Sequence, residues 1–352
     1  MQKKDLNDDI MEKEKLLIID STLRDGSHAM RHQFTADNIV DYAKGAEEAG
    51  IPLLVVGHGN GLGASSIQLG KSLLSDHDMI SLAKNKLKQT KLGVFIIPGF
   101  GVIKDDLEPA LALGAQTVFV ASHCSEADVT ETHIKYLKKM GVPAIGVLMM
   151  THMLTPEELL EQALKMQSYG AHGVMIMDSA GTLLQKDVKD RVTKLVNGLE
   201  IKVGFHAHNN LGLAVANSLV ALEAGASMID TTSRGLGAGA GNCQLEVLVA
   251  ILHKINMNTG INLYKLMDNS EYIIAKLMKK PQVISSTSLA SGLAGVFSGF
   301  CPIAERVAKQ FNVDARDILM ELGRRKIVAG QEDYITDVAA ELAKKRALGE
   351  EG

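Results

Sequence analysis

The chain has no tryptophan, and aromatic residues make up only 4% of its 352 positions. Its core must therefore rest on aliphatic side chains and methionine, of which there are 16. Cysteine is equally scarce. Cys124, Cys243 and Cys301 stand far apart and form no CxxC, which argues against a zinc ribbon or a thioredoxin-like site. An odd, low count fits a reducing compartment. No apolar run approaches the ~20 residues that span a bilayer. Met1 to Lys15 is a densely charged N-terminal extension without the apolar stretch of a secretory signal. Lys and Arg (37) are outnumbered by Asp and Glu (41), and no basic run makes a stripe for nucleic acid. These absences predict a soluble, cytoplasmic protein that engages neither nucleic acid nor membrane. What is present is globular in proportion: 46% hydrophobic, 22% charged, and 33 glycines for tight turns.

Eight short apolar runs punctuate the first part of the chain: Leu16–Ile19, Leu53–Val56, Leu92–Ile97, Thr117–Ala121, Ala144–Met149, Val174–Met177, Lys202–Phe205 and Met228–Asp230. None alternates apolar with polar, so each reads as a parallel strand buried on both faces. Helical patterns lie between them. Thr35 and Thr155 stand as N-caps, Pro156 takes a first helical position, and Gly50, Gly141 and Gly170 close their helices. Eight βα units close most simply into a (β/α)8 TIM barrel, here residues 16–258. A doubly wound sheet is the alternative. Its dinucleotide fingerprint would have to be Gly59-Asn-Gly61-Leu-Gly-Ala64, which follows the second strand rather than the first, so bound NAD is not expected. From residue 259 to 352 the repeat gives way to a C-terminal helical module, with helices over Asn262–Met278, Pro302–Phe311, Ala315–Leu322 and Asp333–Arg346. Ser285–Phe300, rich in small residues, reads as a loop over the barrel mouth.

A barrel keeps its chemistry at the C-terminal ends of its strands. There the chain places Asp20, Arg24, Asp25 and His28 after strand 1, Asp178 and Ser179 after strand 6, and His206, His208 and Asn209 after strand 7. Seven of the 11 histidines follow strand ends. His206 and His208, two apart on an extended segment, point the same way. With Asp25 they suit a divalent transition metal with open positions. Arg24 would neutralise developing negative charge or clamp a carboxylate; a salt bridge to Asp20 or Asp178 is the plainer reading. His28, near an ordinary imidazole pKa, is a candidate base. The run Gly235–Gly241 would let a ligand approach backbone. No strand ends in lysine, so a Schiff base is not expected, and the absence of GxSxG argues against a serine hydrolase.

The segment Ile19-Asp-Ser-Thr-Leu-Arg-Asp-Gly-Ser-His28, with His206-Ala-His208-Asn-Asn and Gly237-Ala-Gly-Ala-Gly-Asn242, resembles the metal-dependent aldolase and Claisen superfamily. Gly57-His-Gly-Asn-Gly-Leu-Gly-Ala-Ser-Ser66 and Ile318-Leu-Met-Glu-Leu-Gly-Arg-Arg make it most similar to the 4-hydroxy-2-oxovalerate aldolase family. That resemblance implies Asp25, His206 and His208 as ligands of Mn²⁺, or of Mg²⁺ or Co²⁺. It implies His206 also as a substrate contact, Arg24 at the enolate oxygen, His28 as base on the 4-hydroxyl, and Ser179 on the pyruvate carboxylate. It places His58, Asn242, Leu293 and Phe297 around the pocket. It implies cleavage of a 4-hydroxy-2-oxoacid to pyruvate and a short aldehyde, as in aromatic hydrocarbon catabolism. An acylating aldehyde dehydrogenase would be the partner in a heterotetramer, or the chain a homodimer through its communication module. Val55, Asn60 and Asn209 depart from the family pattern, and Leu293 and Phe297 stand where it has tyrosines, so an unusual aldehyde acceptor is a variant of this reading. The alternatives are an acyl-CoA-using synthase or lyase of the same superfamily, and a partner-binding subunit of weak activity. Against a lyase, Cys243 falls only after the glycine-rich loop.

Overall fold

The computed structural model describes residues 16–348; the charged extension over residues 1–15 lies outside them. Eight parallel strands close into a barrel in sequence order, and β1 pairs with β8. They are β1 (Leu17–Leu23), β2 (Leu53–Val56), β3 (Lys91–Ile96), β4 (Thr117–His123), β5 (Ala144–Met149), β6 (Gly173–Asp178), β7 (Lys202–Ala207) and β8 (Met228–Thr231). The open-sheet alternative is thereby excluded. Strand residues two apart share a face, so each strand feeds two cores. Ile19, Val55, Phe95, Phe119, Met175 and Met228 fill the barrel interior. Ile18, Leu54, Val94, Val120 and Ile176 pack outward beneath the helices. With few aromatics available, methionine fills the irregular interior space.

Several strands outrun their apolar signal. β1 continues through Asp20-Ser-Thr-Leu23, β6 through Asp178 and β7 through Ala207. The backbone ladder persists where the side chains turn polar. The same alternation separates neighbours. Asp20 faces outward, where its carboxylate accepts from Tyr42 Oη at 2.7 Å. Asp178 also stays behind the barrel wall, accepting from Thr182 and Leu183 amides at 2.9 and 3.1 Å. Neither reaches Arg24, so the proposed salt bridge to Asp20 or Asp178 is replaced by pairs with Asp25 and Asp230.

Helix boundaries follow their caps. Thr35 caps α1 (Ala36–Ala49) through a reciprocal bond with Asn38, and Gly50 closes it at φ 74°. Thr155 and Glu158 do the same for α2 (Pro156–Tyr169). The small-residue segment is not a loop: it is α3 (Ser286–Ala294), capped by Ser285, followed by a 3-10 turn at Ser298–Phe300. Its serines and glycines show no helical periodicity because they meet the barrel closely rather than by large apolar side chains. With α4 (Cys301–Phe311), α5 (Ala315–Arg324) and α6 (Asp333–Ala347), it surrounds a separate small core of Val296, Phe300, Ala304, Ile318, Leu322 and Val338. All three cysteines are buried free thiols.

Candidate metal centre and active site

Two strand ends of the barrel converge on one point. His206 is the next-to-last residue of β7, His208 follows that strand, and Asp25 begins the helical turn after β1. Their ligand atoms all lie within 4.8 Å of one another. His206 Nε2 and His208 Nε2 are 3.4 Å apart, and Asp25 Oδ2 is 3.9 Å from His206 Nε2. All three residues are buried. Two imidazoles and a carboxylate are a ligand set for a divalent transition metal.

The surroundings prepare these atoms for a cation. Asp230 Oδ2 accepts from His206 Nδ1 at 2.8 Å, which puts the proton on Nδ1 and leaves the Nε2 lone pair facing the cluster. Burial holds the His208 imidazole down at about 4, only partly offset by Asp25, so it is neutral at pH 7. Burial alone would raise the Asp25 carboxyl, but the charges that face it, the Arg24 guanidinium first, outweigh burial and hold it well below the carboxylate range. The Asn242 amide donates to Asp25 Oδ1 at 2.9 Å. His208 Nδ1 and Asn242 Oδ1 are buried with no hydrogen-bond partner, and the facing Nε2 atoms with the Asp25 carboxylate make a donor set that fits a hydrated cation.

Arg24 is 3% exposed and donates to Asp25 at 2.7 Å and to Asp230 at 3.3 Å. Its guanidinium lies 4.6 Å from the Phe95 ring centroid, which fixes the plane of the fork. Asp230 was not foreseen from sequence, yet it holds both Arg24 and His206. His28 lies beside Gly59, and a ring N–H donates to that backbone. Burial lowers its pKa from the ordinary imidazole value, against the opposing pull of Asp25; the expectation of an unperturbed base is corrected. The other nitrogen of the neutral ring then remains an acceptor.

A cavity of about 230 Å³ opens on these groups, with Arg24, Asp25, His28, Ser179, His208 and Phe297 in its wall. Ser179 Oγ accepts from the Met150 amide at 3.0 Å, which leaves its own proton free to donate. Three expected pocket residues are not in its wall. His58 is fully buried and stacks on His32 at 3.7 Å, with its nitrogens engaged by Gly70 O and the Asn60 amide. Leu293 is 66% exposed on α3, outside the cavity. Asn242 contacts Asp25 rather than the cavity wall. In the glycine-rich run a Cβ on Gly237 would lie 2.2 Å from Asn242 Nδ2, and the next residue, Ala238, lines the cavity.

Fold and site together define a TIM barrel with a candidate divalent-metal centre at its mouth. A family model described as HMGL-like matches residues 15–273, and one described as a DmpG-like communication domain matches residues 282–344. A 4-hydroxy-2-oxovalerate aldolase from Pectobacterium atrosepticum is 52% identical over 331 residues, covering 94% of this chain and 96% of that one. One from Carboxydothermus hydrogenoformans is 52% identical over 330 residues, covering 94% and 98%. The chain belongs to the HMGL-like family and, within it, to the 4-hydroxy-2-oxovalerate aldolases. The fold also matches the carboxyl transferase domain of Rhizobium etli pyruvate carboxylase, at a TM-score of 0.80 and 15% identity over 96% of this chain and 61% of that one. Among the described residues, no helix is long and apolar enough to cross a membrane.

Proposed function

We propose that the chain cleaves a 4-hydroxy-2-oxoacid, such as 4-hydroxy-2-oxopentanoate, to pyruvate and a short aldehyde, and runs the reverse addition. The observation that carries this reading is the juxtaposition of Asp25, His206 and His208 with Arg24 and His28 at one cavity. Asp25, His206 and His208 would hold Mn²⁺ or a similar ion. Such an ion supplies Lewis-acid polarisation of the 2-oxo group.

The chain's own residues supply the remainder. Ser179 donates its free hydroxyl proton to the substrate carboxylate. His28 accepts the 4-hydroxyl proton at its unoccupied ring nitrogen. As that O–H bond breaks, C4 becomes an aldehyde carbon, the C3–C4 bond breaks, and its electron pair forms the pyruvate enolate. Arg24, held in plane by Asp230 and Phe95, stabilises the enolate oxygen. Protonation at C3 completes pyruvate. Burial keeps His28 unprotonated at neutral pH, the state a base needs.

The acceptor side differs in kind. Ile97, Pro98, Phe100, Met149 and Phe297 present an apolar wall. Phe297 carries no hydroxyl with which to hold the substrate oxygen, and this supports an acceptor other than plain acetaldehyde or relaxed stereocontrol. The match of residues 282–344 to a communication domain supports an acylating aldehyde dehydrogenase as the partner receiving the aldehyde.

Pyruvate release from several 4-hydroxy-2-oxoacids, with and without Mn²⁺ and with His206→Ala, tests the reaction. Mn²⁺-dependent release lost in the variant is expected; no release from any substrate refutes it. Condensation of pyruvate with a series of aldehydes tests the acceptor. Strict stereochemistry with preference for acetaldehyde would remove that part of the reading.

A further inference from the structure

The barrel and the helical module meet in a knot of buried polar groups just behind the cavity. Asn210, past the end of β7, uses both ends of its amide. Its Oδ1 accepts from the Ala240 amide in the glycine-rich loop at 2.9 Å. Its Nδ2 donates to Ala180 O at 2.9 Å, beyond β6, and to Ser298 Oγ at 2.8 Å, in the module. Ser298 in turn gives both its hydroxyl and its backbone N–H to one acceptor, the Ser179 carbonyl, at 2.9 and 3.2 Å. Asn210 and Ser298 are both fully buried. A Cβ on Gly239 would lie 2.6 Å from Asn210 Oδ1 and 3.0 Å from Ser298 Cβ, so only glycine lets this knot close. The same segment is held at its other end, where His152 from the β5 loop hydrogen-bonds to the Gly295 backbone.

The knot terminates on a residue that faces substrate. Ser179 has its carbonyl fixed by Ser298 and its Oγ fixed by the Met150 amide, so only its hydroxyl proton is uncommitted. Phe297, one position before Ser298, lines the same cavity. We infer that Asn210 and Ser298 are positioning residues for 2-oxoacid recognition. Through them the C-terminal module, and not the barrel alone, sets where Ser179 meets the substrate carboxylate. The inference rests on the reading of Ser179 as the carboxylate contact.

The full-length protein loaded with Mn²⁺ is titrated with oxamate, a pyruvate isostere, and its KM for 4-hydroxy-2-oxopentanoate is measured. Ser298→Ala and Asn210→Ala are each expected to weaken oxamate and raise KM about tenfold, the order that one net hydrogen bond implies. Mn²⁺ affinity stays unchanged, which a general loosening of the site would not allow. Because Ser298 acts through Ser179, the Ser179→Ala/Ser298→Ala double variant binds oxamate no more weakly than Ser179→Ala alone. Additive losses, or normal oxamate binding in Ser298→Ala beside a weakened Ser179→Ala, overturn the inference. Normal binding in Ser179→Ala is a different result: it removes the carboxylate reading itself. Should the module variants not fold, amide exchange in the unsubstituted protein decides. Oxamate slows exchange of the Ser298 N–H if the coupling exists, since linkage is reciprocal; an unchanged rate overturns it.

Discussion

Asp230 shows what a linear reading misses at the scale of a residue. Arg24, Asp25, His28, His206 and His208 were legible because polar residues crowd the ends of apolar runs. Asp230 sits inside a run of its own, and its role arises only from the β7–β8 register, which sets it opposite His206. Asp230→Asn is expected to weaken Mn²⁺ binding by about 10–100-fold, the usual cost of losing the partner that orients a ligand histidine; calorimetric titration measures it. Gly59 was legible only as part of a glycine-rich stretch. A Cβ there would come 2.5 Å from His28 Nε2, so Gly59→Ala is expected to lower kcat while Mn²⁺ affinity holds. Equal affinity and undiminished kcat would show that His28 has slack. His58 and Leu293 went the other way: family position suggested the pocket, but ring stacking and helix orientation took them out of it.

Among the elements, strand position was legible and strand length was not. The apolar criterion stops where side chains turn polar, whereas the ladder runs on. β1 shows the energetic side of this. Burial pushes the Asp20 carboxyl up from 3.8 to about 6, despite hydrogen bonds from Thr22 and Tyr42 that favour the charged form. A carboxyl whose folded pKa is raised binds its proton more tightly in the folded state. Stability from this group is therefore greatest below the unfolded value, falls as pH rises from about 4 to about 6, and is level above that. The span corresponds to about 3 kcal/mol. Asp20→Asn is expected to flatten this component in denaturant unfolding followed across that window. The helix over Ser286–Ala294 was illegible because small residues carry no periodic apolar signal; only its cap marks it. Ser285→Ala is expected to cost about 1 kcal/mol of stability, read from the urea midpoint.

For the whole molecule, the closed barrel followed from eight buried-strand runs with intervening helices, and the surplus length from the loss of that repeat. What the sequence could not show was how the two parts interlock, because Asn210 and Ser298 lie 88 residues apart and look ordinary in isolation. A cation held by two separate strand ends should also bind the folded chain alone. Mn²⁺ at a hundred times its dissociation constant is expected to add about 2.7 kcal/mol to unfolding stability. Thermal denaturation with and without the ion measures this, and His206→Ala should abolish the shift. A shift retained in that variant would place the ion elsewhere.

The three enclosed thiols carry a practical consequence for handling the molecule. Burial pushes Cys124 and Cys243 up to about 12 and Cys301 up to about 11, so none offers a thiolate at neutral pH. The native chain is therefore a silent background for maleimide chemistry. A single cysteine introduced at Ile67, which is 88% exposed, would be the one site to take a fluorophore or spin label.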